Sequence, residues 1–133
     1  GIPGIPLAII FPDRRFTLLD SNGKKVRFIN QVKQSLAIEN ILPVQSRVEL
    51  YHPKEVFDCI ISRAFTSLQQ MVQLTGHLVN EQGLIQAMKG IYPEPQQQLL
   101  AEPWIIEQVI KLKVPNLEEQ RHLVNLRKNF VAV

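Results

Sequence analysis

The sequence is poor in cysteine and contains no long hydrophobic run. Its single cysteine, Cys59, cannot form an internal disulfide, which favours a reducing compartment and predicts a cytoplasmic protein. The longest apolar run extends only from Pro6 to Pro12, far short of the roughly 20 residues that span a bilayer. These shortages argue against a disulfide-stabilised secreted protein and against a membrane protein.

The residue types that bind metals or act as nucleophiles do not occur at the spacings that metal sites or catalytic serines require. The three histidines, His52, His77 and His122, are scattered, and with one cysteine they offer no spacing that would hold zinc. No serine is surrounded by glycines in the nucleophile-elbow pattern. The sequence therefore predicts neither a metal site nor a catalytic dyad.

Positive charges exceed negative charges only slightly. Fifteen Lys and Arg residues oppose twelve Asp and Glu residues, which gives a net charge of +3. This excess is too small to establish a nucleic-acid partner, so the positions of the cations carry more information than their sum. With 45% hydrophobic and 20% charged residues, the 133-residue chain has the composition of one globular domain.

Strand-like and helical patterns alternate along most of the chain. Predicted helices cover residues 4–11, 24–37 and 67–79, with Gly83 just beyond the third, and predicted strands cover residues 16–19, 41–48, 57–62 and 84–88. This alternation predicts a parallel sheet with crossover helices. Residues 92–103 are predicted to form a loop, and the strand-like segments 106–114 and 122–126 then predict an antiparallel hairpin.

The first twenty residues carry the clearest functional pattern. Gly1-Ile-Pro-Gly-Ile-Pro is a glycine-rich turn that feeds a helix, and Asp20 closes the next strand. A Rossmann-type unit holds a nucleoside cofactor in this way, with the acidic residue about 20 positions after the turn. The same pattern serves nicotinamide cofactors, so an oxidoreductase is an alternative. Because no strand precedes Gly1, we expect part of the turn to lie upstream.

Several motifs occur in order along the chain, and together they resemble one family. The motifs are Gly1-Ile-Pro-Gly-Ile-Pro-Leu-Ala8, Leu18-Leu-Asp-Ser21 with Lys24-Lys25, Val44-Gln-Ser-Arg-Val-Glu49, Phe57-Asp58, Ile61-Ser-Arg-Ala-Phe65, Met88-Lys-Gly90 and Arg121-His-Leu-Val124. They resemble the bacterial small-subunit ribosomal RNA guanine-N7 methyltransferases, also called glucose-inhibited division protein B. The chain departs from the family pattern by lacking its N-terminal helices and first strand, and by having Asn125 in place of an aliphatic residue.

The resemblance implies a fold and an activity. The fold would be α/β, a Rossmann-like class I S-adenosylmethionine-dependent methyltransferase with a mostly parallel sheet, a C-terminal antiparallel hairpin and no first strand. Residues 1–133 would form a single domain. The protein would use S-adenosylmethionine to methylate N7 of a guanine in 16S ribosomal RNA or the small ribosomal subunit, as a monomer at full length. A non-catalytic RNA-binding fragment is a further alternative.

The resemblance also implies the cofactor contacts, which are Gly1, Ile2, Gly4, Asp20, Ser21, Val48, Glu49 and Arg63. For the glycines the alternative is a tight turn and a helix start, and for Glu49 it is a solvated surface position. Arg63 follows a predicted strand at the carboxyl edge, where open parallel sheets bind ligands. Its alternative role is a salt bridge to Asp58.

Five cations are candidates for RNA contact. Lys24, Lys25 and Arg27 lie in the first turns of a predicted helix, where the helix dipole disfavours cations by on the order of tenths of a kcal/mol each. Cations placed against the dipole suggest phosphate contact. Lys89 and Arg121 fall in motifs that match the family. For Lys24, Lys25 and Arg27 the alternative is a solvated face.

The expected chemistry needs no catalytic residue. N7 of guanine carries a lone pair and no proton, so the enzyme has to align N7 with the methyl carbon and the departing sulfur. The segment Ser62-Arg-Ala-Phe65 lacks the Asn/Asp-Pro-Pro-aromatic element of methyltransferases that act on exocyclic amines. The target base would have to leave its stack to reach the cofactor.

Overall fold

The computed structural model describes residues 3–63, 67–90, 100–113, 115–116 and 119–129. The chain divides into two compact units, Gly1–His52 and Pro53–Val133. Unit 1 contains α1 (Gly4–Ile10), β1 (Phe16–Asp20), α2 (Gly23–Ser35), β2 (Ile41–Gln45) and a 3₁₀ turn (Val48–Leu50). Unit 2 contains β3 (Phe57–Ser62), α3 (Leu68–Thr75), a 3₁₀ turn (Gly76–Leu78), β4 (Val79–Lys89), β5 (Trp104–Leu112) and β6 (Arg121–Lys128).

Unit 1 is built on a two-stranded parallel sheet. β1 pairs with β2 from Phe16 opposite Ile41 to Asp20 opposite Gln45, so the two strands end at the same edge. The spacing of Val26, Ile29, Val32 and Leu36 predicts one apolar face of α2. Val26 and Ile29 are buried and Val32 packs against the core, whereas Leu36, which lies just beyond the helix, is exposed. The core of the unit consists of Ala8, Leu18, Ile29, Ile38 and Ile41.

Local hydrogen bonds close both ends of α2. At the start, the Asn22 side chain accepts a hydrogen bond from the Lys24 N–H at 2.9 Å, as expected of a capping residue. At the end, the Ile38 N–H donates to the Lys33 carbonyl at 3.0 Å, and Ala37 adopts a φ of 52°. This left-handed turn ends α2 at Ser35, short of the predicted end at Ala37. The sequence did not indicate the turn, because glycine usually occupies its left-handed position and this chain has alanine there.

Unit 2 is a four-stranded mixed sheet in the order β3-β4-β6-β5. β3 and β4 are parallel, as predicted for strands that are separated by a helix, and α3 is that helix. β6 runs antiparallel to both β4 and β5, which confirms the predicted C-terminal hairpin. The core of the unit consists of Leu68, Met71, Val72, Val79, Ile85, Ala87, Val124 and Leu126.

Several further predicted boundaries are wrong. α3 ends at Thr75, and Val79 already begins β4. The helix was predicted to extend to Val79 because apolar spacing over a short stretch fits both a helix and a strand. Gly83, predicted to follow a helix, lies buried within β4, where a Cβ would come within 2.9 Å of the Asp58 carbonyl oxygen. β2 ends at Gln45 rather than extending to residue 48. Most of the predicted loop at 92–103 lies outside the described residues.

Candidate functional site

The carboxyl ends of β1 and β2 form the first part of the candidate site. The Asp20 carbonyl oxygen accepts the Ser46 N–H at 3.0 Å, which ties the two strand ends together. The Asp20 side chain is half-buried, and its Oδ1 accepts the Asn22 N–H at 2.8 Å. Within the described residues, Oδ2 of Asp20 has no hydrogen-bond partner. This oxygen is therefore available to accept hydrogen bonds from a ligand.

Gly4 is the first residue of α1, and it packs against β1. A Cβ at this position would lie 2.8 Å from Cγ of Leu18, closer than side-chain atoms normally approach. The contact between helix and strand thus requires a residue without a side chain, which agrees with the helix-start alternative. A cofactor role for Gly4 stays a prediction. Gly1 and Ile2 lie outside the described residues.

Val48 and Glu49 lie in the 3₁₀ turn that follows β2. Glu49 forms an ion pair with Arg47, with 2.8 Å between Oε1 and Nε. The side chains of Arg47 and Glu49 are 71% and 36% exposed, so water screens the pair and it adds little stability. Glu49 nevertheless places a carboxylate near the end of β2. Ser21 is exposed directly after β1.

Arg63 is the first residue after β3, and it is exposed. The alternative ion pair with Asp58 is not formed, because five residues of extended strand, roughly 16 Å, separate Asp58 from Arg63. The Asp58 carboxylate instead accepts a hydrogen bond from Nδ2 of Asn80 at 2.8 Å. Across the part of the chain that the structure describes, Arg63 has no ion-pair partner. Its guanidinium is therefore available for a carboxylate or a phosphate.

Three candidate RNA contacts lie at the start of α2. Lys24, Lys25 and Arg27 are all exposed, and none forms an ion pair with a described residue. They follow Asp20 closely in the chain, so they lie near the edge at which β1 ends. Because a helix N-terminus disfavours cations, a bound anion would relieve the repulsion at this position.

Lys89 and Arg121 lie at one end of the unit 2 sheet. Lys89 is the last residue of β4, and Arg121 begins β6, whose next residue, His122, lies opposite Lys89. Partial burial lowers the pKa of Lys89, because desolvation penalises the charged ammonium. Arg121 forms an ion pair with Glu119 at 3.0 Å. Since β3 runs parallel to β4, Arg63 leaves the sheet at the same end.

The predicted residues thus fall into two groups. The first is the β1–β2 edge, defined by Asp20, Ser21, Lys24, Lys25, Val48 and Glu49 in unit 1. The second is the β4–β6 edge, defined by Arg63, Lys89 and Arg121 in unit 2. Arg47 and His122 were not predicted as site residues, although both lie within the motifs that resemble the family. Arg47 precedes Val48 and His122 follows Arg121, so their position next to predicted site residues could have indicated a role in the site.

The remaining reactive side chains suggest no further chemistry. Among the residues that the structure describes, no three His, Cys, Asp or Glu side chains gather to hold a metal ion. Cys59 lies at the surface, yet desolvation by its neighbours raises the pKa of the thiol and disfavours the reactive thiolate. In the same described ranges, no helix has both the length and the apolar composition needed to cross a bilayer.

Solved structures share this architecture. The structure of M. jannaschii TYW2 in complex with AdoMet matches with a TM-score of 0.68 over 94% of this chain and 63% of that chain, at 14% identity. An rRNA methylase from Streptococcus thermophilus matches with a TM-score of 0.58 over 86% of this chain and 73% of that chain, at 14% identity. At such identities the likeness concerns the fold alone, and the fold is that of class I S-adenosylmethionine-dependent methyltransferases.

The sequence comparison narrows this class to one family. The chain belongs to the rRNA small subunit methyltransferase G family, GidB, whose sequence profile matches residues 1–124. This match confirms the resemblance. The ribosomal RNA small subunit methyltransferase G of Salmonella arizonae is 53% identical over 131 residues, which make up 98% of this chain and 63% of the relative. The chain therefore spans less than two thirds of the length of that relative.

Proposed function

We propose that the protein, at full length, is a cytoplasmic methyltransferase that uses S-adenosylmethionine to methylate N7 of a guanine in 16S ribosomal RNA. The observation that carries the proposal is the 53% identity, over 98% of the chain, to proteins named ribosomal RNA small subunit methyltransferase G. We treat residues 1–133 as one methyltransferase domain, which the fold match over 94% of the chain supports. The family match favours methyl transfer over the nicotinamide-dependent oxidoreductase.

The residues of the β1–β2 edge fit S-adenosylmethionine. Ribose hydroxyls are donors, and Oδ2 of Asp20 is an acceptor without a partner among the described residues. On the family resemblance we assign the ribose to Asp20 and Ser21, the adenine end to Val48 and Glu49, and the methionine end to Gly1, Ile2 and Gly4. Arg63 is assigned to the cofactor on the resemblance alone. When bound, S-adenosylmethionine supplies the methyl group.

The residues of the chain have to align the guanine base with the methyl group of the cofactor. Because guanine N7 has a lone pair and no proton, no side chain has to act as a general base. The Ser62 hydroxyl at the end of β3 donates to the Arg63 carbonyl at 2.8 Å, so it is already engaged locally. The side chains around the base have to hold it in line with the methyl group and to tolerate the positive charge that methylation creates.

Five cations are proposed to bind the RNA. Lys24, Lys25 and Arg27 would contact phosphates near the β1–β2 edge, and Lys89 and Arg121 would do so at the β4–β6 edge. The proposed partner is 16S ribosomal RNA or the small ribosomal subunit. We propose that the protein acts on it as a monomer and without a metal.

Methyl transfer from tritium-labelled S-adenosylmethionine tests the proposal. The full-length protein is incubated with 16S ribosomal RNA, or with small subunits, that lack the modification, and a fluorescence titration with NADH is run in parallel. We expect label in the RNA and no binding of the dinucleotide. Binding of RNA without label would favour the non-catalytic RNA-binding alternative, and binding of NADH would favour the oxidoreductase.

A further inference from the structure

A buried histidine without an assigned role lies at the β4–β6 edge. His122 is 9% exposed and is the second residue of β6. Its Nδ1 lies 2.7 Å from the carbonyl oxygen of Gly90. Because a carbonyl oxygen only accepts hydrogen bonds, Nδ1 carries the hydrogen and donates it.

This hydrogen bond lies where the regular pairing of β4 and β6 ends. Lys89 opposite His122 is the last registered pair of the two strands, and Gly90 is the next residue of the chain. On the other side of β6, Lys111 lies opposite His122. The His122 side chain thus extends the connection between β4 and β6 by one residue beyond the paired positions.

Two candidate RNA contacts flank the bond. Lys89 precedes Gly90, and Arg121 precedes His122. Nη1 of Arg121 lies 4.0 Å from the position that a Cβ on Gly90 would occupy. Since residues directly opposite in antiparallel strands project from the same face, Lys89 and His122 share one face and Arg121 lies on the other. The bond therefore holds the chain segment from which both cations project.

We propose that His122 is a positioning residue for RNA binding. Its Nδ1–H fixes the carbonyl of Gly90 and thereby holds in place the two strand ends from which Lys89 and Arg121 reach phosphates of the RNA backbone. His122 itself does not touch the RNA. This inference rests on the proposed function, because it gives His122 a task within the same RNA contact.

Two amide substitutions test the role of His122, because each replaces a different ring nitrogen. In His122→Asn the amide nitrogen takes the place of Nδ1 and still donates to Gly90, whereas in His122→Gln it takes the place of Nε2. We expect His122→Asn to bind 16S ribosomal RNA within about two-fold of wild type and His122→Gln to bind it about five-fold more weakly, the effect of one lost hydrogen bond. Affinity for S-adenosylmethionine should be the same in both variants.

A second measurement separates positioning from a general loss of stability. In a protein that already carries Lys89→Ala and Arg121→Ala, His122→Gln should cause little further loss of RNA affinity, since the cations that it positions are gone. Full additivity of the losses would overturn the inference, and so would equal affinities of the Asn and Gln variants. If His122→Gln does not fold, His122→Leu takes its place, because leucine suits a buried position and lacks a donor.

The outcome for wild type separates this inference from the proposed function. If the wild-type protein neither binds nor methylates 16S ribosomal RNA, the proposed function fails and the role of His122 fails with it. If wild type methylates the RNA and His122→Gln binds it equally well, only the role of His122 is overturned.

Discussion

Asp20 uses its two carboxylate oxygens differently. Oδ1 accepts the Asn22 N–H and shapes the turn into α2, while Oδ2 has no partner within the described residues. An alanine at this position would remove both oxygens, so weaker cofactor binding could then reflect a disturbed turn. Asparagine keeps an oxygen for the Asn22 N–H and replaces the other oxygen by a donor. It therefore isolates the oxygen that is free to meet a ligand.

We predict that Asp20→Asn weakens the binding of S-adenosylmethionine by about 10- to 100-fold, since a hydrogen bond to a charged group contributes about 1.5–3 kcal/mol. Isothermal titration calorimetry on the full-length protein measures the change. The matched control is Asp13→Asn, which alters an exposed carboxylate in the turn before β1 and should bind normally. Wild-type affinity of the Asp20→Asn variant would remove Asp20 from the proposed site.

Single residues were predictable where their role follows from their place in the chain. Asp20 was identified because a carboxylate that ends a buried strand is well placed for a nucleoside ligand. The ion pair of Arg47 with Glu49 depends on the 3₁₀ turn after β2, and such a short turn leaves no periodic pattern in the sequence. The packing of Gly4 against Leu18 likewise required the distance between α1 and β1.

Among the secondary-structure elements, α2 ends under local strain. The Ile38 N–H donates to the Lys33 carbonyl at 3.0 Å and the Ala37 N–H donates to the Gln34 carbonyl at 3.3 Å, which is a Schellman motif. Its turning residue, Ala37, has a φ of 52°. A residue with a Cβ adopts this left-handed conformation at an energetic cost.

We predict that Ala37→Gly stabilises the protein by about 0.5–1 kcal/mol, because glycine reaches the left-handed region without a steric penalty. Urea unfolding followed by circular dichroism should show a higher midpoint at an unchanged slope. Ala101→Gly is the control, since Ala101 has no positive φ, and it should be neutral or slightly destabilising. A lower midpoint for Ala37→Gly would show that the Ala37 methyl group contributes more than the strain costs.

The periodicity of apolar residues allowed each segment to be predicted as a helix or a strand, but it did not allow the first or last residue of several of them to be predicted. β3 matches its prediction at both ends, and at its C-terminal end the apolar run gives way to Ser62 and Arg63. The start of β4 was misplaced because Leu78 and Val79 continue the apolar spacing of α3. Asn125, a polar residue where the family has an aliphatic one, is 8% exposed and accepts a hydrogen bond from Nε2 of Gln86 at 3.2 Å. That partner became apparent only once β4 and β6 were paired.

For the whole chain, the net charge of +3 conceals a clustered distribution. Exposed cations gather at the start of α2 in unit 1, and Arg63, Lys89 and Arg121 share one end of the sheet in unit 2. Clustered cations bind a polyanion with release of its counterions, which makes affinity depend steeply on salt. Each unit thus carries one basic edge that can be tested separately.

We predict that replacing Lys24 and Lys25 together by alanine weakens binding to 16S ribosomal RNA and makes the log–log salt dependence shallower by about 1.4 to 1.8. Filter binding at a series of salt concentrations measures the slope. Affinity for S-adenosylmethionine should not change. The control variant Arg14→Ala with Arg15→Ala removes the same charge just before β1 and should keep the wild-type slope. An unchanged slope for the lysine variant would contradict an RNA contact at α2.

The sequence allowed the parallel or antiparallel pairing of neighbouring strands to be predicted, but not the order of the strands in the unit 2 sheet. Alternation of strands and helices predicted the parallel pairs, and two strand patterns without an intervening helix predicted the antiparallel hairpin. The position of β6 between β4 and β5 was not predictable, because local patterns do not state which strand a hairpin places against the sheet.

The most direct test is the chemical position of the transferred methyl group. 16S ribosomal RNA labelled by the full-length protein is digested to nucleosides, and a second sample is treated with borohydride and aniline, which cleave RNA at 7-methylguanosine. We predict that all of the label lies in 7-methylguanosine and that cleavage occurs at one position. Label in another nucleoside, or no label in the RNA with a protein that binds S-adenosylmethionine, would contradict the proposed function.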